Sequence, residues 1–191
     1  KEALSEHQKP HVLSISMDMW PAFQSAQESV LPNADRVHDR FHVSSYLGDA
    51  VDKTRRSEHA RLSKEGDKTL NKSKYALLKN PENMTPKQKE LFATLAASDL
   101  ETVKVWAFKD TFRDFFMCVD VQQAKAFFDN WYANAVSLGN QFLTKVANML
   151  NDHLDGLLNY IKHRTTNATA EGINSRIQQI KANAKGYRKF A

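Results

Sequence analysis

Apolar and polar positions change rhythm along this chain. In His11-Val-Leu-Ser-Ile-Ser-Met17, β-branched and apolar residues alternate with small polar ones between Pro10 and Asp18. That pattern predicts a short strand, buried or half-buried. Trp20-Pro21 opens a helix with proline in its first turn. Ala22, Phe23, Ala26 and Val30 mark its expected apolar face, and Leu31-Pro32-Asn33-Ala34 ends it. Asp35-Arg-Val-His38 reads as a second strand. Ser44 or Ser45 can then cap a helix running through Leu47, Ala50 and Val51. Strand, helix, strand and helix over 11–50 predict a βαβ-like unit of an α/β sheet.

Past residue 64 the rhythm changes, and from about 85 the period is helical. Gly66 and Asn80-Pro81-Glu-Asn83 break up 64–84. Thr85-Pro86-x-Gln88 is a capping box with proline at the first helical position, followed by Leu91, Phe92 and Leu95. A helix from Asp99 carries Leu100, Val103, Ala107, Phe108, Phe112 and Phe115 as its stripe. Another from Asp120 carries Ala124, Phe127, Phe128, Trp131 and Ala135. Leu138, Phe142, Val146, Met149 and Leu150 predict a long helix, and Leu154, Leu157, Leu158 and Ile161 continue the period past Gly156. Residues 85–162 thus predict an all-helical block with an aromatic core. A last helix, capped by Asn167 or Thr169, aligns Ala170, Ile173, Ile177, Ile180 and Ala184 on one face. Glu171, Asn174, Gln178, Lys181 and Lys185 lie on another.

Composition bounds what these elements can be. The 191 residues are 41% hydrophobic and 26% charged, enough to bury a core in one ordinary domain. No run approaches a membrane span, and Lys1-Glu-Ala-Leu-Ser-Glu6 lacks a signal-peptide core. The single cysteine, Cys118, excludes a disulfide framework and reads as a small core residue, so a cytosolic setting is expected. The chain starts without Met in a polar stretch and reads as a piece of something longer. Net charge is +5, concentrated in 53–74 (eight Lys/Arg against three Asp/Glu) and 162–191 (seven against one). Two basic blocks on an otherwise acidic chain fit a polyanion partner, although solvated helix faces would look the same. No phosphate-binding glycine loop, G-x-S-x-G or G-x-G-x-x-G is present, which removes P-loop, serine-hydrolase and Rossmann readings.

Three places could carry chemistry. Asp18 follows the first strand, where α/β sheets put their sites, and a carboxylate there suits magnesium; it could equally cap the next helix. His38-Asp39-Arg-Phe-His42 packs two histidines around an acid and fits a metal site or a His-Asp phosphohydrolase, with His153, Asp152, Asp155 and His163 as recruits. The structural alternative is a local His42–Asp39 hydrogen bond. Glu171 heads a basic helix beside Gly172, so an acid could hold a metal while cations behind it hold a nucleic-acid backbone. It could also simply stabilise the helix dipole.

Taken in order, Ser16-Met-Asp18-Met-Trp-Pro21, Leu31-Pro-Asn33-Ala-Asp-Arg-Val-His-Asp39-Arg-Phe-His42-Val43, Leu78-Lys-Asn-Pro81-Glu-Asn83 and Thr166-Asn167-Ala-Thr-Ala-Glu171-Gly-Ile-Asn174-Ser175 resemble the C-terminal part of a bacterial insertion-sequence transposase of the DDE type, in the ISL-three family. The resemblance runs nearly end to end. It implies a chain that is mainly α by residue count with about two short strands. These belong to a partial ribonuclease-H-like α/β core interrupted by an all-helical insertion. The implied division is 1–56 (partial core), 57–162 (insertion) and 163–191 (C-terminal helix of the core). It implies Asp18 and Glu171 as the second and third carboxylates of a site that holds magnesium or manganese and joins DNA strands. Asp39 and His42 would form a motif near that site. Asn174, Arg176, Lys181, Lys185 and Arg188 would face DNA, the last four by position and charge.

The family's first catalytic Asp lies on an earlier strand, whereas Asp18 is the first Asp here. The expectation is therefore a fragment, or a truncated reading frame, that is inactive alone. Its leading strand would be exposed or paired with another copy. The implied setting is the bacterial cytoplasm, on the nucleoid, with transposon ends and target DNA as partners and no membrane. Two other readings compete: a non-enzymatic helical DNA-binding or interaction module, and the His-Asp metal phosphohydrolase.

Overall fold

The computed structural model describes residues 4–165 together with 172, 175, 176 and 178–180. Two parallel strands, β1 (Ser14–Met17) and β2 (Asp35–His38), flank helix α1 (Pro21–Val30). Their register pairs Ser14 with Asp35 and Met17 with His38. The rest is helical: α2 (Arg40–Lys64), α3 (Lys74–Leu78), α4 (Pro86–Ala96), α5 (Glu101–Thr111), α6 (Val121–Ser137), α7 (Gln141–Asp152) and α8 (Leu154–His163). The described residues are thus mostly helical, with two short strands.

Local chemistry explains most boundaries. The Thr85 hydroxyl accepts from the Gln88 amide, and the Gln88 side chain accepts from the Thr85 amide, closing the box that starts α4. Asp120 caps α6. The predicted long helix is broken at Gly139, whose φ of +74° requires a glycine-like backbone. Asn140 then caps α7 through the Phe142 and Leu143 amides.

Three local expectations change. Asp99 does not cap α5; it pairs with Lys104 at 2.6 Å. The cap comes from another helix. The Glu58 carboxylate on α2, 4% exposed, accepts from the Glu101 and Thr102 amides at 2.9 and 2.8 Å and from the Thr102 hydroxyl at 2.7 Å. Phe112 and Phe115 leave the α5 stripe and enter a 3-10 turn (Phe112–Met117), where the two rings stack at 5.2 Å. Phe112 also meets Trp131 edge-on at 4.7 Å. Finally, the apolar positions of α1 face outward: Phe23 and Val30 are about half exposed, and Ala22 and Ala26 are exposed. Gln27 is the buried residue of α1, because its amide donates to Leu31 O and Ala34 O and accepts from Arg36. No described element covers the other side.

One hydrophobic core joins the strand end to the helices, from Met19, Val43 and Leu47 through Phe112, Phe128 and Leu143 to Leu157 and Ile161. α2 packs on α5 and α7, and α8 lies along β2. Lys162 and His163 hold Asp35 at 2.6 and 2.7 Å, and the Asn159 side chain donates to Arg36 O. α8 approaches β2 closely at one point, where the His38 ring fills the space a Gly156 side chain would need; a Cβ there would sit 2.2 Å from the ring.

His38 is 2% exposed, and its ring lies 5.2 Å from that of His153. Burial first, and the neighbouring His153 second, push its pKa down to about 4. The folded chain therefore resists a proton that the unfolded chain accepts near 6.5. Stability should fall as pH drops from about 6.5 toward 4. The loss should be about 2 kcal/mol between pH 7.5 and pH 5. Urea unfolding at the two pH values checks this: His38→Leu should flatten that part of the profile.

Candidate active site

Because β1 and β2 are parallel, their carboxyl ends lie together, and the residues after the Met17–His38 pair are both aspartates. The Asp39 amide reaches Met17 O at 3.4 Å. The two side chains then take different work. Asp39 is 3% exposed, and its Oδ1 accepts from the Phe41 amide at 2.7 Å, capping α2. Asp18 stays partly open to solvent. Its Oδ1 accepts from the Met19 amide at 2.7 Å and from the Tyr46 hydroxyl at 3.3 Å. Its Oδ2 lies 3.7 Å from His42 Nδ1. His42 and Tyr46 are one turn apart on α2, so one helix face presents both to the carboxylate. Burial, and then the Asp18 charge, raise the Tyr46 pKa, so the hydroxyl keeps the proton it donates.

This corrects one local reading. α2 starts at Arg40 with Asp39 as its cap, not at Ser44 or Ser45, which are exposed in mid-helix. The His42 ring is also brought to Asp18. Once the helix starts at Arg40, His42 and Tyr46 share a face. Tyr46 was missed for that reason, and the i, i+4 spacing from His42 would have found it.

The other histidines disperse. His38 packs on His153, and His163 binds Asp35. Among the described residues no three His, Cys, Asp or Glu side chains come together as a metal set. Asp18 offers a hard divalent ion oxygen of the right kind, while Asp39 is engaged as a cap. The described residues therefore fit such an ion in donor type but do not complete its ligands.

Of the residues expected to face DNA, Arg176 is described and is exposed in helix. Glu171, Asn174, Lys181, Lys185 and Arg188 lie outside the described residues. The first basic block is partly neutralised within α2. Asp52 binds Arg55 at 2.8 Å and Arg56 at 2.5 Å, and Glu58 lies 3.6 Å from Arg61. No helix among the described residues is long and apolar enough to cross a membrane.

A transposase family model of the DDE type, ISL-three group, matches residues 1–191. The chain belongs to the ISL-three family of transposases. Relatives agree. The chain is 26% identical over 180 residues to the transposase for insertion sequence element IS1001 of Bordetella parapertussis, covering 93% of this chain and 44% of that protein. It is 22% identical over 210 residues to the transposase for insertion sequence element IS1557 of Mycobacterium tuberculosis, covering 98% and 47%. The chain thus spans about half the length of the curated relatives it matches. No solved structure matches it. In this ISL-three chain, the resembling motif around Asp39 and His42 is the segment that starts α2 and brings His42 to Asp18.

The cap assignment is testable. Asp39→Ala should destabilise the fold by about 1–2 kcal/mol. Ser44→Ala, in mid-helix and exposed, should change stability by less than about 0.5 kcal/mol. Thermal or urea unfolding of the two variants separates a helix starting at Arg40 from one starting near Ser45.

Proposed function

We propose that this chain supplies two carboxylates, Asp18 and Glu171, to the DNA-cutting and DNA-joining site of an ISL-three transposase. The observation that carries the reading is Asp18 at the carboxyl end of β1, held by Tyr46 and faced by His42 from the first turns of α2. A carboxylate fixed there, still partly open to solvent, suits a ligand of magnesium or manganese. Bound divalent ions would activate water or a DNA 3′-hydroxyl for in-line attack on a phosphodiester and stabilise the leaving oxygen. The chain's own residues do the positioning. Tyr46 donates to one Asp18 oxygen, and His42 stands beside the other.

In the same reading, β1, α1, β2 and the start of α2 belong to a ribonuclease-H-like core over 1–56. Residues 57–162 are an all-helical insertion, and 163–191 return to the core. α2 passes through position 56 without a break and so would link core and insertion rigidly. Asn174, Arg176, Lys181, Lys185 and Arg188 would contact the DNA backbone. The open side of β1 and α1, with Leu13 74% exposed, would support self-association. The protein would work on the nucleoid in the bacterial cytoplasm. Two carboxylates are one short of the three that a site of this type uses, so the 191 residues alone would not cut DNA.

Strand-transfer assays test the reading. In a full-length transposase containing these residues, Asp18→Asn and Glu171→Gln should each lower strand transfer by several orders of magnitude while DNA binding persists. Near-wild-type transfer by either variant would overturn the assignment. Cleavage by the 191-residue chain with magnesium or manganese, lost on Asp18→Ala, would overturn its inertness.

A further inference from the structure

One exposed ring stands beside the Asp18–His42 pair. Phe41 is 62% exposed in the first turn of α2, outside the hydrophobic core. Its ring meets the His42 imidazole edge-on at 5.7 Å, and His42 is the residue that faces Asp18. On its other side Phe41 lines an open cleft of about 880 Å³, together with Arg40, Ser44, Arg113, Met117 and Tyr160. Of the four acids that line this cleft, Asp39, Glu82, Asp110 and Asp114, two are paired with a cation of the lining. Arg113 binds Glu82 at 2.7 Å and Asp110 at 3.3 Å, and the Lys109 ammonium donates to Leu78 O. Arg40 is exposed next to Phe41.

The surroundings distinguish Phe41 from the exposed apolar residues on and next to β1 and α1. Leu13, Trp20, Phe23 and Val30 lie there, and the Trp20 and Phe23 rings meet at 5.4 Å. Such a patch suits burial against protein. Phe41 instead stands between Arg40 and His42, near Ser44, as an exposed aromatic face bordered by a cation, with Met117 also exposed in the same cleft. That combination is how proteins hold an unpaired nucleotide, with the base on the ring and the phosphate on the cation. The cleft volume lies in the range of small-ligand sites. Its lining carries Arg40, Lys109 and Arg113 against Asp39, Glu82, Asp110 and Asp114, so a phosphate is favoured at the Arg40 end, beside Phe41, and not across the whole cleft.

We infer that the cleft beside the Asp18–His42 pair binds an unpaired nucleotide of a DNA end, its base stacked on Phe41 and its phosphate on Arg40. The inference rests on the DNA-processing reading above and adds a preference to it: DNA with unpaired bases at the end should bind better than blunt duplex.

Fluorescence anisotropy with the 191-residue chain tests it, using one labelled duplex in two forms, blunt and with a four-nucleotide single-stranded overhang. The wild-type chain should bind the overhang form about 5- to 100-fold more tightly, the range expected for one stacked base. Phe41→Leu, which keeps an apolar side chain but removes the ring, should abolish that preference while blunt-duplex affinity stays within about twofold. Phe41→Trp should retain it. Phe23→Leu, an exposed ring outside the cleft, should leave both affinities unchanged. Equal binding of the two forms by the wild-type chain, or a preference that survives Phe41→Leu, overturns the inference and leaves the DNA reading standing. A wild-type chain that binds neither form overturns both. Phe41 covered by protein in a full-length transposase, and protected there from surface labelling, would also overturn the inference.

Discussion

Helix α2 leaves the end of β2 through the Asp39 cap and runs 25 residues into the helical bundle, so one element joins the strand end to the bundle. At its start the cap sets the helix phase, and the phase decides that His42 and Tyr46 look at Asp18. At its far end Glu58, buried on the same helix, caps α5 from outside. A carboxylate taken out of water needs strong donors, and three hydrogen bonds from Glu101 and Thr102 supply them. Changing the phase of α2 would therefore disturb the candidate site and the bundle together.

The second constraint is the contact between α8 and β2. Two strands of four residues are too few to be stable alone. Here α8 covers β2 and bonds to Asp35 and Arg36, while His38 fits against Gly156. The strand end that presents Asp18 is thus supported from the helical side. The opposite side, with Phe23 and Val30 exposed on α1, is uncovered among the described residues.

The sequence was most legible where one local bond decides a boundary. The Thr85–Gln88 box, the Asp120 cap and the strand Asp35–His38 lie where their residue patterns put them. It was least legible where tertiary partners decide. Glu58 looked like one acid in a basic stretch, yet its neighbour α5 makes it a buried cap. Ala22, Phe23, Ala26 and Val30 have helical spacing, but which face of a helix is buried depends on what packs against it. At the candidate site, Asp18 was legible from its place after a strand. The His42–Asp18 approach and Tyr46 were not, because the expected caps, Ser44 or Ser45, leave His42 outside the helix, which Asp39 in fact caps. Glu171 lies outside the described residues, so its place beside Asp18 rests on the proposal.

The central claim is that a divalent ion binds at Asp18 with Glu171 as its partner. Metal-directed backbone cleavage measures this most directly. Iron(II) is loaded into the magnesium site of a full-length ISL-three transposase containing these residues, hydroxyl radicals are generated there, and the cut positions are mapped by mass spectrometry. The account predicts cuts clustered around 17–20, 41–46 and 170–173, suppressed by excess magnesium and lost on Asp18→Asn. Cuts that spare the Asp18 region, or persist unchanged in Asp18→Asn, would contradict it.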